Sequence, residues 1–444
     1  MMINLVKKPS LDRTEELPGY RWVIFAAVVL NGALMYFHLA WGATLSGYHM
    51  AAWNLDAGKL GVLAALGFFS YALMQIPGGY LTDLLGVRMV MSAAAVATTL
   101  GTALFASAAT FAVAAIGRIL IGLGGALVLL PSLKVLSRWF PRRKFATIQG
   151  AFLMISTSGA VAATLPLAWA AERWGWRAPM FAAGALSGLA SIASWIMLRN
   201  DPTDLGLPSV TTIVQEAARP LAELGTEQPT LSAGFRAWKT VTTFWASSVI
   251  FFATVGSLQA FQGLWAGPVL RQVRGLTTIT TGQMLLLFTL GLGFGPLLFG
   301  LISDHVVRAR KPVVVFCALG ETVMWILIIV TFAGLLLPLL GAVFFAVSTL
   351  AGGVLVAQAM ITEICPPPLF GTVFGIVNGW AFYGTAAIQL ITGFVLNAIG
   401  PTTITTEPIY SAHAYALALS PIIGFMLVAV ALSFRLGETL GRED

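Results

Sequence analysis

Twelve apolar stretches, each long enough to cross a lipid bilayer, follow one another along this chain. A membrane-spanning helix takes about 20 consecutive apolar residues, and six such stretches come before position 200. Six more follow a polar segment between positions 200 and 240. We number them spans 1 to 12, over residues 22–44, 58–80, 89–109, 112–135, 146–169, 178–198, 242–265, 281–302, 312–333, 335–361, 369–396 and 412–434. The pattern predicts an all-α membrane protein built from two six-helix bundles.

Composition supports a membrane protein and argues against other classes. Apolar residues make up 58% of the chain and charged residues 10%, whereas soluble domains have about 45–50% and about 25%. The net charge is +7, but the Lys and Arg residues are scattered over short loops. We therefore predict no nucleic-acid binding. The two cysteines lie in or beside apolar runs and form no CxxC pair, so no metal site is expected. Neither HExxH, GxSxG nor a P-loop is present, which predicts a protein without cofactors that is not an enzyme.

The distribution of Lys and Arg among the loops predicts the orientation. Positive residues are retained on the cytoplasmic side, and one set of alternate loops and tails carries 19 of them while the other carries five. Both termini and the central loop are therefore predicted to be cytoplasmic. The predicted organisation is a tail at 1–21, an N-terminal bundle at 22–199, a linker at 200–240, a C-terminal bundle at 241–434 and a tail at 435–444.

The two halves carry related motifs. The segment from Gly79 to Arg88, GYLTDLLGVR, is echoed after span 8, where Asp304 lies 221 residues after Asp83. A second echo places Pro366 225 residues after Pro141, with Phe, Thr and Gly in register. Parallel repeats of this kind occur in secondary transporters whose substrate site lies between the halves near the bilayer midplane.

The segment from Gly79 to Arg88 is similar to the signature between helices 2 and 3 of the major facilitator superfamily, and RILIGLGG at Arg118 resembles its helix 4 motif. The stretches GLWAGPVLRQV and RNDPTDLGLPS look like those of bacterial members grouped with sugar-phosphate permeases and anion symporters. The resemblance implies a monomeric transporter of the bacterial inner membrane that works by alternating access.

The first motif has a concrete physical interpretation. Gly79 and Gly86 permit a tight turn and close helix approach, Asp83 can accept hydrogen bonds from a helix N-terminus, and Arg88 can pair with an acid. The resemblance implies a cytoplasmic latch that stabilises the outward-open state, and the alternative is that Asp83 only caps a loop. The gating candidates are Gly79, Asp83, Gly86, Arg88, Gly300, Asp304 and Glu363.

Arg118 is the one basic residue clearly inside a span. A charge there is costly unless it faces a cavity or has a partner, so we predict a functional role. The nearest titratable candidate for proton coupling is His38 in span 1, with a hydrogen-bonded packing role as the alternative. Glu321 in span 9 is the one acid well inside a span, and its alternatives are a bond to a neighbouring helix or a neutral carboxyl.

The resemblance implies a cavity lined by helices 1, 4, 7 and 10, with contributions from helices 2, 5, 8 and 11. The polar and aromatic candidates there for substrate binding or coupling are Asn31, Tyr36, His38, Trp41, Arg118, Gln259, Gln262, Trp265, Gln358, Asn378 and Tyr383.

The resemblance also narrows the substrate. Organophosphate antiporters of the family place Arg in helices 1 and 7, nitrate transporters place Arg in helices 2 and 8, and drug/proton antiporters have a Gly-Pro pair in helix 5; this chain lacks all three features. One fixed positive charge, a histidine and several amides suit a small carboxylate or amphoteric metabolite. We expect proton-coupled uptake of a small organic solute, with the bilayer and protons as partners. An exporter or exchanger and a solute sensor are the alternatives.

If His38 carries the coupling proton, His38→Gln should abolish proton-driven accumulation and leave counterflow intact, because the amide cannot titrate. Both are measured in proteoliposomes with and without a pH gradient. Unchanged accumulation would leave His38 with the packing role.

Overall fold

The computed structural model describes residues 19–141, 145–206, 231–366, 369–404 and 408–440. The first 18 residues of the predicted tail, Arg142 to Lys144, the linker from 207 to 230 and the last four residues lie outside the described residues, as does the side chain of Asp83.

Within the described residues, twelve helices are long and apolar enough to cross a membrane. Spans 1 to 6 are Tyr20–Trp53, Ala57–Thr82, Leu84–Ser107, Phe111–Trp139, Thr147–Trp174 and Arg177–Met197. Spans 7 to 12 are Thr242–Val273, Thr278–Val306, Lys311–Thr331, Leu337–Ile364, Thr372–Ile399 and Ala412–Ser433. The predicted all-helical fold with twelve spans is confirmed.

Several helices run beyond the apolar stretches that predicted them. Span 1 continues to Trp53, past the predicted end at 44, because Thr44, Ser46 and His49 are buried against neighbouring helices rather than exposed to lipid. The Thr44 hydroxyl, for example, donates to the carbonyl oxygen of Ala163 in span 5 at 2.8 Å. Polar side chains that face neighbouring helices can lie within a span, because they do not contact the lipid.

Within the described residues, six spans consist of more than one helix. Span 8 consists of Thr278–Leu301 and the π-helical Ile302–Val306, and span 12 of Ala412–Leu419 and Pro421–Ser433. Span 4 consists of helices Phe111–Ala126 and Leu129–Trp139, and span 10 of helices Leu337–Leu350 and Gly353–Ile364. These two breaks occupy related positions in the repeat. Span 5 is formed by the helices Phe145–Ser156, Ser158–Ala162 and Leu165–Trp174. Span 7 is formed by Thr242–Ala260, Phe261–Trp265, Ala266–Pro268 and Val269–Val273, of which the second and fourth are π-helical.

Shorter elements complete the description. A 3₁₀ helix, Pro202–Leu205, follows span 6, and an α-helix, Leu231–Thr240, precedes span 7. Between spans 11 and 12 the strands β1, Thr403–Ile404, and β2, Pro408–Ile409, pair antiparallel.

Glycines set the distance between packed spans. A Cβ atom added to Gly159 in span 5 would lie 1.7 Å from the carbonyl oxygen of Ala33 in span 1. A Cβ added to Gly122 in span 4 would lie 2.1 Å from the carbonyl oxygen of Gly67 in span 2, and one added to Gly352 would lie 2.2 Å from the carbonyl carbon of Gly295. Small residues at such crossings allow backbone packing between membrane helices.

Gly159→Ala should destabilise the N-terminal bundle by about 1–3 kcal/mol, the usual range for overpacking, because the added methyl group overlaps backbone that cannot rotate away. The measurement is thermal unfolding in detergent. Gly150→Ala, also in span 5, is the control, since no atom lies within 4 Å of its added Cβ. Equal melting temperatures for the two variants would contradict the crossing geometry.

Candidate functional site

Spans 1 and 7 bring the two halves into direct backbone contact. A Cβ atom added to Gly42 would lie 2.2 Å from the carbonyl oxygen of Gly263, and one added to Gly267 would lie 1.8 Å from the carbonyl oxygen of Ala43. Real Cβ atoms do not approach so closely, so the contact requires glycine. Spans 2 and 11 meet in the same way through a glycine in each.

Side-chain hydrogen bonds join the halves at the same end of the bundle. Arg271 Nη2 donates to Ser46 Oγ at 3.0 Å, and the backbone N–H of Ala57 donates to the Tyr410 hydroxyl at 3.1 Å. Gln272 holds Tyr410 in place, because Gln272 Oε1 accepts from the backbone N–H of Tyr410 at 3.1 Å. The end that carries the loop between spans 1 and 2 is therefore closed.

At the opposite end, the charged side chains of the second motif bond within their own half. Arg310 Nη1 donates to Asp304 Oδ1, and Arg310 Nε donates to Glu363 Oε1 at 3.0 Å. Arg310 thus joins Asp304 and Glu363, two of the predicted gating candidates. The two described hydrogen bonds between the halves, Arg271 with Ser46 and Ala57 with Tyr410, both lie at the closed end. We call the opposite end, which carries the second motif, the open end. With the predicted orientation, the open end faces the cytoplasm.

The first motif differs from its predicted geometry in two respects. The described partners of Arg88 lie on span 6 rather than on an acid: Arg88 Nε donates to the Trp195 carbonyl oxygen at 2.7 Å, and the guanidinium lies 4.5 Å from the Trp195 ring centroid. Gly79 and Gly300 have no atom within 4 Å of an added Cβ, so neither supports close helix approach in this state. Gly86 does need to be glycine, because its φ is +80°.

Aromatic rings from both halves meet near the middle of spans 2 and 11. The rings of Tyr71 and Phe382 have centroids 4.1 Å apart, and Phe68 stacks on Phe382 at 6.3 Å. Phe69 contacts Tyr383 at 5.7 Å. These rings form an aromatic contact between the two halves.

Buried amides without a hydrogen-bond partner lie on the same two spans. They are Gln75 Nε2 of span 2 and Asn378 Nδ2 and both polar side-chain atoms of Gln389 in span 11. A Cβ added to Gly379, beside Asn378, would lie 4.0 Å from Gln75 Cβ of the other half. A Cβ added to Gly263 would lie 3.8 Å from Gln389 Nε2. Buried polar atoms normally have partners, so these amides can serve a ligand or water.

Gln75 and Gln389 were not predicted as site residues, whereas Asn378 was. The signal was available, since an amide inside an apolar span is costly without a partner. Apolar length and motif spacing do not indicate which amide of spans 2 and 11 faces the other half.

Arg118 is separated from the C-terminal half by the ring of Phe68. It is 4% exposed, its guanidinium carbon lies 4.5 Å from the Trp41 ring centroid and 5.7 Å from that of Phe68, and Nη1 donates to the His38 carbonyl oxygen at 3.4 Å. The Phe68 ring lies 3.6 Å from an added Cβ at Gly263 of the other half. Within the described part of the chain, no acidic side chain contacts Arg118.

Two predicted site residues of span 1 face the interior of the N-terminal bundle. Asn31 Nδ2 donates to Ser194 Oγ in span 6 at 2.9 Å. His38 lines a cavity of about 20 Å³ together with Asn31, Thr98 and Ser187, and both of its ring nitrogens lack a described partner. Both side chains therefore point away from the plane between the halves, a direction that apolar periodicity does not reveal.

The remaining predicted residues divide by burial. Gln262 is buried and its Nε2 donates to Thr289 Oγ1 of span 8 at 2.7 Å, and Trp265 is buried with an unpaired Nε1. Four others are half-buried: Tyr36, Gln259, Gln358 and Tyr383. Glu321 is 1% exposed and accepts from Trp325 Nε1 at 3.3 Å, inside the C-terminal bundle.

The fold and the motifs agree with a comparison of sequences. The profile described as Major Facilitator Superfamily matches residues 23–309, which is more than half of the chain. The chain belongs to the major facilitator superfamily. The resemblance inferred from the two motifs is confirmed, and this multi-pass membrane protein belongs to a family of transporters, not of enzymes.

Among curated relatives of this major facilitator protein, the hexuronate transporter of Escherichia coli (strain K12) is 27% identical over 189 residues, 43% of this chain and 44% of that transporter. The match thus spans less than half of that relative. The probable galactarate/D-glucarate transporter of the same strain is 23% identical over 372 residues, 78% of this chain and 81% of that protein. The crystal structure of a bacterial homolog to the human lysosomal transporter Spinster, inward-facing and occupied, has a TM-score of 0.72 at 19% identity and covers 94% of this chain and 97% of that one; it shows the fold alone.

In this major facilitator protein, Gly267→Ala should shift the population away from the closed-end contact, because the added methyl group overlaps the Ala43 carbonyl oxygen. A cost of about 1–3 kcal/mol corresponds to a shift of about 5- to 150-fold. The measurement is the distance distribution between spin labels at Lys59→Cys and Asn397→Cys, two exposed positions at the closed end, with the native cysteines replaced by Ala.

Gly293→Ala is the matched control, because no atom lies within 4 Å of its added Cβ. The distribution should lengthen for Gly267→Ala only. A distribution unchanged in both variants would show that the spans 1 and 7 contact does not hold this end closed.

Proposed function

We propose that this protein takes up a small organic anion of the sugar-acid class by alternating access. The observation that carries the proposal is Arg118, a buried cation for which the described residues supply no acidic partner. A carboxylate of the substrate would be the missing anion.

The charge of Arg118 is stabilised by aromatic rings but is not paired with an acidic side chain among the described residues. Taking a cation out of water costs several kcal/mol, and a cation–π contact returns about 2 kcal/mol when desolvated. The Trp41 and Phe68 rings supply two such contacts. The remaining deficit is available as binding energy to a ligand carboxylate. Because Phe68 stands between Arg118 and the cleft, that ring has to turn aside before the ligand can reach the guanidinium.

The unpaired amides support a ligand with several hydroxyl groups. Gln389 presents a donor and an acceptor without described partners, and each hydrogen bond formed removes the cost of a buried unsatisfied group, about 1–3 kcal/mol. A polyhydroxy carboxylate satisfies both the cation and the Gln389 amide, because the Phe68 ring beside Arg118 and Gln389 Nε2 lie 3.6 Å and 3.8 Å from one Cβ position at Gly263. The names of the relatives, a hexuronate transporter and a probable galactarate/D-glucarate transporter, denote molecules of this chemistry.

Coupling and setting complete the proposal. We propose uptake driven by the proton gradient across the bacterial inner membrane, by a monomer with cytoplasmic termini. His38 and Glu321 are the candidate proton carriers. Each lies inside one bundle, so its protonation would act on the cleft through spans 1 and 9 rather than by contact with the substrate.

The first test is a thermal-shift screen of the purified protein against uronates, aldarates, neutral sugars, amino acids, nucleosides and bulky hydrophobic cations. A ligand at 100 times its Kd raises the free energy of unfolding of the protein by about 2.7 kcal/mol. Stabilisation by uronates or aldarates, with none from the matching neutral sugars, is the expected result. A response to neutral sugars or hydrophobic cations alone would contradict the proposal.

Arg118→Gln should weaken sugar-acid binding about 10- to 100-fold, the effect of losing one charge-assisted hydrogen bond. Arg118→Lys keeps the charge and should retain part of the affinity. Isothermal titration measures both, and melting of the ligand-free proteins checks folding. We expect Arg118→Gln to be no less stable than wild type without ligand, since it removes a buried unpaired charge. Wild-type affinity in Arg118→Gln would remove the central support for the proposal.

A further inference from the structure

The segment that follows span 12, Leu436–Leu440, packs against the open end of the C-terminal bundle; we call it the tail segment. Leu436 is 1% exposed and Thr439 is 7% exposed, so the segment is part of the packed structure. It lies against the loop between spans 8 and 9 and the end of span 10.

Glu438 caps the N-terminus of span 9, although it lies more than 120 residues later in the sequence. Span 9 has no side-chain cap of its own at its N-terminus. Glu438 Oε1 accepts from the backbone N–H of Arg310 at 2.8 Å, and Oε2 accepts from that of Lys311 at 3.1 Å. A carboxylate at a helix N-terminus satisfies free N–H groups and interacts favourably with the helix dipole.

Thr439, the next residue of the tail segment, contacts Glu363 at the end of span 10. Its hydroxyl donates to Glu363 Oε2, while Glu363 Oε1 accepts from Arg310 Nε at 3.0 Å. Arg310 also contacts Asp304. In the tail segment, Glu438 therefore binds the backbone of Arg310. Thr439 binds Glu363, whose carboxylate binds the Arg310 guanidinium.

The charges in this cluster reinforce one another. Burial disfavours the charge on Arg310, but hydrogen bonds with Asp304 and Glu363 outweigh it and raise the pKa of Arg310. Burial also disfavours the charge on Glu438, but the backbone N–H donors outweigh it and lower the pKa of Glu438. Both groups are charged at neutral pH.

We propose that Glu438 and Thr439 are positioning residues for the gate at the open end, acting through Arg310 and Glu363. Asp304 and Glu363 are the acids at the end where the halves must meet when the transporter turns outward. With the tail segment in place, both acids are held on Arg310. Without it, Glu363 and the end of span 10 lose one of their two anchors. The effect on turnover rests on the proposed transport function, but the positioning itself does not.

The test uses Cys365, which lies two residues after Glu363 and is 7% exposed. In a Cys317→Ala background, the rate of maleimide alkylation of Cys365 reports opening of the end of span 10. Thr439→Val removes the hydroxyl at constant shape and should raise the rate about tenfold, the factor for one lost charge-assisted hydrogen bond. Thr439→Ser keeps the hydroxyl and should label at the wild-type rate.

Glu438→Gln should also raise the rate, since it replaces one acceptor oxygen by a donor. Glu172→Gln, exposed at the opposite end, should change nothing. Alkylation at the wild-type rate in both Thr439→Val and Glu438→Gln, with all variants monodisperse, would overturn the proposal.

Transport assays separate this inference from the proposed function. Faster alkylation together with a changed turnover and an unchanged Kd for the sugar acid is the expected combination. Faster alkylation in a protein that binds no organic anion would leave the positioning role standing and refute only the proposed substrate. A changed Kd at an unchanged alkylation rate would place the effect in the cleft and refute the positioning role.

Discussion

The backbone contact between spans 1 and 7 is the constraint on which the rest of this structure depends. Membrane helices gain no hydrophobic energy from leaving lipid, so close packing and hydrogen bonds hold them together. Gly42, Gly263 and Gly267 allow the two halves to touch through main-chain atoms. Beside this contact, the aromatic rings of spans 2 and 11 also meet between the two halves.

The two halves contribute different chemistry to the plane between them. The N-terminal half supplies a fixed cation, Arg118, screened by Phe68. The C-terminal half supplies amides, among them Gln389, with no described partner. A ligand that uses both must touch both halves, which is the condition for its binding to alter how the halves sit against one another. The acid inside a span, Glu321, is instead bonded within its own half.

The sequence predicted the fold more completely than the site. Apolar length was enough for the twelve spans, and the cost of a buried charge was enough to select Arg118. The echo of the first motif led to Asp304, and its place at the end of span 10 led to Glu363; both have Arg310 as a partner. Residues in span 1 were less well predicted: Asn31 and His38 lie on the face toward spans 3, 4 and 6. In a span that is apolar on all sides, hydropathy does not distinguish the face toward the cleft from the face toward a neighbouring helix.

The sequence by itself determined the number of spans, the repeat, the family and the presence of one unneutralised charge in the membrane, because these follow from hydropathy, motif spacing and the energy of burying an ion. Only the tertiary structure decided which amides face the cleft, which end is closed and what the tail segment holds. Those outcomes depend on helix rotation and on contacts such as Glu438 with the start of span 9, between residues far apart in the chain. Local patterns do not specify how distant helices turn toward one another, so Gln75 and Gln389 became visible as site residues only when spans 2 and 11 were seen together.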